Sequence, residues 1–330
     1  SIVHYPDPQC SDLVEKLSTH HQIDPETLLI GNGVSGLIYL LARIITSDAV
    51  LIPVPTFCEY ERAVRISGGQ VIRFYMREDE GFRLDLGQLT QELSGVSAVF
   101  LGRPNNPTGS VIPKDPLLAF AGECERRGIF LIVDEAFVDF SETAELVSLI
   151  NEIKQFQHLI VLRSFTKIYA FPGLRLGYAV AHPPVIKQLR RLQPPWSVNT
   201  LAQRAGVLVL DCPGYLQRTR ELIRRERTFL FNRLAQMDGI VPFPSDANFI
   251  LCEIHNISID AAILRRLLGQ QGILIREGSS FEGLSRYFFR IAVRSRRENE
   301  ILLGALRNAL PPNRGKEGGG VNFALYSPMP

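Results

Sequence analysis

The chain has 330 residues, of which 45% are hydrophobic and 21% are charged, and its formal net charge at pH 7 is +2. A chain of this length can bury a sizeable core in two domains, or in one large domain with an appendage. The nearly balanced charge gives no electrostatic case for nucleic acid or an anionic membrane as a partner. We expect no transmembrane segment and no signal peptide. The five cysteines lack paired or metal-type spacing, which indicates reduced thiols in a cytoplasmic protein and predicts no metal site.

Short apolar segments alternate with helical patterns over the first two thirds of the chain. Helices are predicted over 8–20, after Gly33, over 58–67 and over 115–128. Strands are predicted at 49–55, 70–76, 96–102, 129–137, 158–164 and 175–181. Because these segments are apolar along their whole length, we expect a mostly parallel sheet with helices on both faces. The predicted fold class is therefore α/β.

The pattern changes after the segment PPWSVN at 194–199. A long helix is predicted over 213–237, followed by short strands and two further helices, which together indicate a separate α+β domain. We divide the chain into an N-terminal segment (1–30), a large domain (31–212), a small C-terminal domain (213–310) and a flexible tail (311–330) that is rich in glycine and proline.

Four polar motifs lie at strand ends or helix starts, where open α/β sheets bind ligands. GNGVSG at 31–36 opens a helix, and it either binds an anion or is an ordinary helix-start turn. RPNNPTG at 103–109 is a tight turn of a common type. VDEAF at 133–137 has an acidic pair that is either a helix cap or a functional group. The segment 161–175 places Lys167 after a strand, although a surface loop with ordinary charges also fits.

Together the four motifs contain the groups that pyridoxal 5′-phosphate requires. This cofactor needs an amine for its aldehyde, a carboxylate for its pyridine nitrogen, a donor to its phenolic oxygen and a phosphate cradle. Lys167 is assigned as the amine, and we expect neighbouring positive charge and partial desolvation to lower its pKa. Asp134 is assigned to the pyridine nitrogen, and Asn106 to the phenolic oxygen. The phosphate is assigned to Ser164, Thr166, Arg175 and the backbone amides of Val34 and Ser35.

The segments PNNPTG, DEAF and SFTK with GLRLGY resemble the fold-type-I aminotransferase superfamily, in its histidinol-phosphate aminotransferase-like branch. The resemblance extends from about Tyr5 to about Leu310. It implies a mostly parallel central sheet of seven strands with a smaller α+β C-terminal domain. It also implies a homodimer whose subunits share their active sites.

The same resemblance assigns roles to residues outside the four motifs. Phe57 in PTFCEY matches the aromatic side chain that stacks on the cofactor ring; Tyr60 is a second candidate, or a helix residue packed on the sheet. Tyr5 in HYPDP matches a tyrosine that reaches the cofactor phosphate of the partner subunit. Arg290 in YFFRIAV matches the arginine that binds the substrate carboxylate. We expect the family's N-terminal arm to be truncated in this chain.

One residue departs from the usual pattern of the branch, which has tyrosine where this chain has Phe137. Asn106 would then be the only side chain that donates to the phenolic oxygen. Phenylalanine is the pattern of the threonine-phosphate decarboxylases of cobalamin biosynthesis. The segments at 194–199, 273–295 and 297–310 resemble the same group of enzymes.

The decarboxylase resemblance implies a substrate with two anionic groups. Arg276 in ILIRE and Arg290 in YFFRIAV are each predicted to lie inside an otherwise apolar strand. Arg276 is assigned to the substrate phosphate, and Arg290 to the α-carboxylate, with Asn106 also in the substrate site. The implied reaction converts O-phospho-L-threonine to (R)-1-aminopropan-2-yl phosphate and CO2. The alternatives are a phosphoserine decarboxylase, a histidinol-phosphate aminotransferase and a non-catalytic relative. For the two arginines, the alternative role is a salt bridge to an internal acid such as Glu277 or Glu282.

Overall fold

The computed structural model describes residues 2–141, 148–212, 214–255 and 258–310. Its strands form two sheets, one of seven strands and one of four. The tail predicted at 311–330 lies outside the described residues. Within the described ranges, no helix has the length and hydropathy of a membrane-spanning segment.

The larger sheet comes from the N-terminal two thirds of the chain. Its strands are β1 (Leu28–Asn32), β2 (Ala49–Val54), β3 (Gln70–Tyr75), β4 (Val96–Gly102), β5 (Phe130–Asp134), β6 (Leu159–Ser164) and β7 (Leu176–Ala181). Their order is β1–β7–β6–β5–β4–β2–β3. Strand β7 is antiparallel to both of its neighbours, and the other neighbouring pairs are parallel. The predicted mostly parallel sheet of seven strands is confirmed.

Helices cover both faces of this sheet. They are α1 (Ser11–His21), α2 (Gly33–Ile45), α3 (Glu59–Ile66), α4 (Leu86–Gln91), α5 (Lys114–Arg127), the single turn α6 (Phe165–Ile168), α7 (Pro183–Leu192) and α8 (Thr200–Leu210). Leu131 and Val133 of β5 belong to one apolar cluster, whereas Ile132 belongs to another. Because successive strand side chains point to opposite faces, the sheet has a core on each side, as its continuously apolar strands predict.

Strand β1 has no counterpart among the strands predicted from the pattern. It runs directly into α2 and contains Gly31, which reads as part of a turn. A Cβ at Gly31 would lie 2.5 Å from Cγ of Leu37, so the close approach of α2 requires glycine there. The strand is nevertheless buried over Leu28–Gly31 and pairs with β7. The sequence pattern therefore does not predict β1, because the glycine that packing requires is also typical of turns.

The smaller sheet comes from the C-terminal part of the chain. Its strands are β8 (Ile240–Pro242), β9 (Phe249–Ile254), β10 (Arg276–Glu277) and β11 (Phe288–Ala292), in the antiparallel order β10–β11–β9–β8. Helices α9 (Tyr215–Ala235), α10 (Ala261–Gly269) and α11 (Arg296–Ala309) share a third apolar cluster with it. The strand register pairs Arg276 directly with Arg290. This register places two arginines side by side at the edge of the sheet.

Candidate active site

The predicted cofactor residues converge at the carboxyl ends of three adjacent parallel strands. Gly102 at the end of β4 pairs with Asp134 at the end of β5, and Asp134 pairs with Leu162 of β6. Asn106 follows β4 in a turn, and Lys167 lies in α6, directly after β6. Because the three strands end at one edge of the sheet, an amide, a carboxylate and an amine from distant parts of the sequence come together there.

Asp134 is buried, and both of its carboxylate oxygens accept hydrogen bonds. The Tyr60 hydroxyl donates to Oδ2 (2.7 Å), and the backbone N–H of Ala136 donates to Oδ1 (2.9 Å). Burial raises the pKa of Asp134, although these two bonds and the charge of Lys167 oppose the rise. Each carboxylate oxygen can accept a further hydrogen bond. A donor cation beside Asp134 would therefore stabilise its ionised form.

Tyr60 has a role that the sequence did not reveal. Its ring is buried and stacks on Phe100, with centroids 5.0 Å apart, so Tyr60 supports Asp134 from behind. Burial, followed by the negative charge of Asp134, raises the pKa of Tyr60, which keeps its hydroxyl a donor. The half-buried Phe57 lies edge-on to it at 5.6 Å. The sequence carries no local signal for the Tyr60–Asp134 hydrogen bond, because the two residues are 74 positions apart in the chain.

Lys167 is the amine at the centre of the site. Its pKa is lowered first by burial and then by the positive charge of Arg290, with a smaller effect of Arg175, while Asp134 acts in the opposite direction. The Nζ atom lies 5.2 Å from the centre of the Phe137 ring, and Lys167 as a whole residue is exposed to solvent. A lowered pKa increases the fraction of free amine near neutral pH, which is the form that attacks an aldehyde.

The start of α2 has the features of an anion cradle. Asn32, which precedes the helix, makes no side-chain hydrogen bond to the first N–H groups, so it leaves those of Val34 and Ser35 uncapped. Gly33 has φ +70°, and a Cβ there would lie 2.7 Å from Nη2 of Arg175. A glycine is thus needed for the guanidinium to reach the helix start, where the helix dipole also favours an anion.

Two hydroxyl side chains lie beside this helix start. Ser164 pairs with Gly177 across β6 and β7, and a Cβ on Gly177 would lie 2.9 Å from the backbone nitrogen of Val34. The hydroxyls of Ser164 and Thr166 are 2.8 Å apart, and both side chains are buried. The structure therefore brings together the residues that the sequence assigned to a phosphate.

Arg290 connects the smaller sheet to the cofactor residues. Its Nη1 donates a short hydrogen bond to Oδ1 of Asn106. Because a guanidinium can only donate, the amide oxygen faces Arg290 and the Nδ2 hydrogens point elsewhere. The neighbouring Asn105 has a structural role, because it binds the segment that follows β2. Its Nδ2 donates to the carbonyl of Pro55 (2.9 Å), and its Oδ1 accepts from the Thr56 hydroxyl (2.6 Å).

Arg276 and Arg290 have no carboxylate oxygen within 4.0 Å among the described residues. The acids considered as alternative partners pair elsewhere. Glu277 lies 3.5 Å from Nε of Arg265, and Glu282 accepts a hydrogen bond from the Tyr75 hydroxyl (2.9 Å). The internal salt bridges considered for these two arginines are thus not found.

The two arginines differ in their exposure. Arg290 is half-buried with its guanidinium 4.8 Å from the centre of the Phe249 ring. Burial, followed by the charge of Arg276, lowers the pKa of Arg290 to about 10. Arg276 is exposed, whereas the sequence placed it inside an apolar strand; β10 has only two residues and lies at the edge of the sheet. An anion bound beside Arg290 would offset the cost of burying its charge.

A buried ion network, which the sequence did not predict, lies behind the cofactor residues. Nη1 of Arg103 lies 3.5 Å from Oε1 of Glu135, and Nη1 of Arg163 lies 3.6 Å from Oε2 of the same side chain. Arg163 also pairs with Asp139, and the Ser148 hydroxyl donates to Oε2 of Glu135 (2.6 Å). Burial raises the pKa of Glu135, and the charge of Arg163 is the largest opposing effect. The network links β4, β5 and β6 at their carboxyl ends.

The profile of the family Aminotransferase class I and II matches residues 1–306. The chain belongs to this aminotransferase family. Relatives within the family include two kinds of enzyme, and solved structures of both kinds share the fold.

The threonine-phosphate decarboxylase of Salmonella typhimurium is 39% identical over 311 residues, which are 94% of this chain and 84% of that protein. The histidinol-phosphate aminotransferase of Caldanaerobacter subterraneus subsp. tengcongensis is 35% identical over 308 residues, which are 93% of this chain and 84% of that protein. The crystal structure of the histidinol-phosphate aminotransferase from Clostridium acetobutylicum has a TM-score of 0.87 at 29% identity, covering 93% of this chain and 90% of that one.

Aminotransferases of this family use pyridoxal 5′-phosphate, and it is the cofactor of this chain. The described residues fit this cofactor chemically. Asp134 has acceptor capacity left for a protonated ring nitrogen, and the Nδ2 hydrogens of Asn106 have no acceptor among the described residues. The start of α2 presents uncapped N–H groups beside Arg175, as a phosphate requires.

Proposed function

We propose that this chain is a decarboxylase that converts O-phospho-L-threonine to (R)-1-aminopropan-2-yl phosphate and CO2, a reaction of cobalamin biosynthesis. The observation that carries the proposal is the pair of Arg276 and Arg290. They are opposite each other on β10 and β11, and among the described residues neither has a carboxylate within 4.0 Å. Two neighbouring guanidinium groups, of which Arg290 lowers the pKa of Lys167, suit a substrate with two anionic ends. The 39% identity to the Salmonella decarboxylase supports the same assignment.

Bound pyridoxal 5′-phosphate supplies the electron sink for bond breaking at the substrate α-carbon. In our proposal, Nζ of Lys167 would hold the cofactor, take up a proton from the substrate ammonium group and donate it to the α-carbon, which keeps its own hydrogen and loses CO2. The lowered pKa of Lys167 makes its ammonium a stronger acid than that of an ordinary lysine. Asp134, positioned by the Tyr60 hydroxyl, keeps the pyridine nitrogen protonated, and Asn106 donates to the phenolic oxygen. Phe57 stacks on the ring.

The remaining assignments concern the anions. Val34, Ser35, Ser164, Thr166 and Arg175 hold the cofactor phosphate. Arg290 binds the substrate α-carboxylate, with Asn106 beside it, and Arg276 binds the substrate phosphate. Because both ends of the substrate are held, these two anchors determine which bond at the α-carbon can break, and a small displacement would change the reaction.

A histidinol-phosphate aminotransferase is the second candidate, supported by the 35% identity of such a relative. Phe137 favours the decarboxylase, because its position has tyrosine in the usual aminotransferase pattern. A phosphoserine decarboxylase differs only in space for one methyl group, which is worth about 1–3 kcal/mol.

We further propose that the protein is a homodimer with shared active sites. Tyr5 is 80% exposed, and its ring lies 4.7 Å from that of Trp196, which is 49% exposed. Leu201 and Leu208 of α8 are also exposed. Large apolar side chains on a surface favour a protein partner. Sedimentation equilibrium would test the dimer, and cofactor release from a Tyr5→Phe variant would test the predicted contact of its hydroxyl with the partner's cofactor phosphate.

The decisive assay incubates the cofactor-loaded enzyme with O-phospho-L-threonine and no 2-oxo acid. We expect stoichiometric CO2 and aminopropanol phosphate. L-histidinol phosphate has a phosphate but no carboxyl group, so it can only transaminate. Turnover of L-histidinol phosphate with a 2-oxo acid acceptor, without CO2 release from phosphothreonine, would assign the chain to the aminotransferases. O-phospho-L-serine provides the control for the methyl group.

A further inference from the structure

Ser280 is the polar side chain that contacts the Arg276 guanidinium. Nη2 of Arg276 donates a hydrogen bond of 2.6 Å to Oγ of Ser280. Since the guanidinium can only donate, the serine oxygen is the acceptor and the hydroxyl hydrogen must point away from it. That hydrogen has no protein acceptor among the described residues, so a free O–H donor lies beside an arginine without a carboxylate partner.

The loop that carries Ser280 is fixed at several points. A Cβ on Gly278 would lie 2.7 Å from Cβ of Phe288, so the loop packs tightly on β11. Phe281 is 4% exposed, and the Arg276 guanidinium lies 5.5 Å from its ring centre. Glu282 accepts a hydrogen bond from Tyr75 of β3, which ties the loop to the larger sheet. These contacts fix the backbone on both sides of Ser280, which is itself exposed and lies beside Arg276.

We propose that Ser280 is a second donor of the subsite for the substrate phosphate and that it binds this group together with Arg276. This proposal rests on the proposed function. A phosphate monoester has three terminal oxygens, which can accept from the guanidinium and from the hydroxyl at once. The bond from Arg276 polarises the hydroxyl and strengthens it as a donor. Ser280 therefore contributes specificity for a phosphorylated over an unphosphorylated amino acid.

The test compares Ser280→Ala with Ser279→Ala, because Ser279 is the adjacent exposed hydroxyl and makes no hydrogen bond to Arg276 among the described contacts. With the cofactor-loaded enzyme, we expect Ser280→Ala to lower kcat/KM for O-phospho-L-threonine about 10-fold, as for loss of one charge-assisted hydrogen bond. The value for L-threonine should change less than about 2-fold, and Ser280→Thr should restore most of the loss. Ser279→Ala should match the unaltered enzyme with both substrates.

Equal losses with the two amino acids, or no loss with phosphothreonine, would overturn the assignment of Ser280. A second measurement separates this result from failure of the proposed reaction. Inorganic phosphate is titrated into the cofactor-loaded enzyme, whose cofactor phosphate already fills the cradle at α2. If the unaltered enzyme releases no CO2 but Ser280→Ala still weakens phosphate binding about 10-fold relative to Ser279→Ala, the reaction is wrong and the subsite stands. Unchanged phosphate binding in Ser280→Ala refutes the subsite whatever the reaction.

Discussion

Arginines occupy both sides of the cofactor residues, in opposite electrostatic settings. Behind the strand ends, the buried Arg103 and Arg163 are paired with the carboxylate of Glu135. In front of them, Arg276 and Arg290 contact a serine hydroxyl, an amide oxygen and aromatic rings instead. Internal acids neutralise the rear pair, whereas the front pair has no carboxylate within 4.0 Å in the described part of the chain.

We infer from this difference that the rear arginines stabilise the fold and that the front arginines bind an anionic ligand. Breaking a buried ion pair leaves an uncompensated charge and costs several kcal/mol. A cation without a counter-charge in the fold forms no ion pair that its removal could break. Such a cation can instead strengthen the binding of an anionic ligand. Substitutions behind the site should therefore reduce stability, while substitutions at the front should reduce activity.

The largest effect is expected at Lys167, because the proposed attachment of the cofactor needs its amine. Lys167→Ala should abolish detectable turnover, and borohydride treatment followed by mass spectrometry should find no cofactor attached to the chain. Since burial already disfavours the charged form of Lys167, the free energy of unfolding should not fall. Lys187→Ala, at an exposed lysine of α7, is the control and should retain both activity and the attached cofactor. Near-normal turnover of Lys167→Ala would refute the cofactor assignment.

The next largest effect is expected on stability, when the buried ion network of Arg103, Glu135 and Arg163 is disrupted. Glu135→Ala leaves two buried guanidinium groups without their shared carboxylate, so the free energy of unfolding should fall by about 3–5 kcal/mol. Denaturant unfolding monitored by fluorescence measures this change. Asp79→Ala removes an exposed partner of Arg77 and should leave stability nearly unchanged. If Glu135→Ala were as stable as Asp79→Ala, the network would have no structural role.

Much of this site follows from local sequence motifs, because each motif places a chemical group at the end of an apolar strand. Lys167, Asp134 and Asn106 come together at one sheet edge as the order of strands and motifs predicts. The support of Asp134 by Tyr60 joins residues far apart in the chain, and no local pattern reports such a contact. The same holds for Arg103 and Glu135.

A smaller effect is expected at Arg290. Because this arginine has no carboxylate partner among the described residues, replacing it should reduce activity and leave stability unchanged or higher. Arg290→Met should lower kcat/KM for both L-threonine and O-phospho-L-threonine, because both carry the α-carboxylate. Each loss should correspond to about 2–4 kcal/mol of transition-state stabilisation. In the unaltered protein, burial lowers the pKa of Arg290 to about 10 from a higher value in the unfolded chain, so folding disfavours the charged form of Arg290. This cost is present at neutral pH and is lost only as the pH rises through about 10. The variant should thus be at least as stable as the unaltered protein.

We also expect the Arg290→Met substitution to change the pKa of Lys167. The charge of Arg290 helps to lower the Lys167 pKa, so removing it should raise that pKa. The rate at which the cofactor attaches to the cofactor-free protein should then reach half of its maximum at a higher pH in Arg290→Met. Arg286→Met, at an exposed arginine before β11, is the matched control. A fall in stability comparable to that of Glu135→Ala would place Arg290 with the structural arginines.

The most direct test of the central claim is the ratio of kcat/KM for O-phospho-L-threonine to that for L-threonine, measured before and after Arg276→Ala. If Arg276 binds the substrate phosphate and Arg290 the carboxylate, the substitution should cost about 2–4 kcal/mol with phosphothreonine and leave threonine almost unaffected. The ratio should then fall by about 30-fold to 1,000-fold. Equal losses with the two substrates would leave the ratio unchanged. That result would contradict the claim that these two arginines divide a two-anion substrate between them.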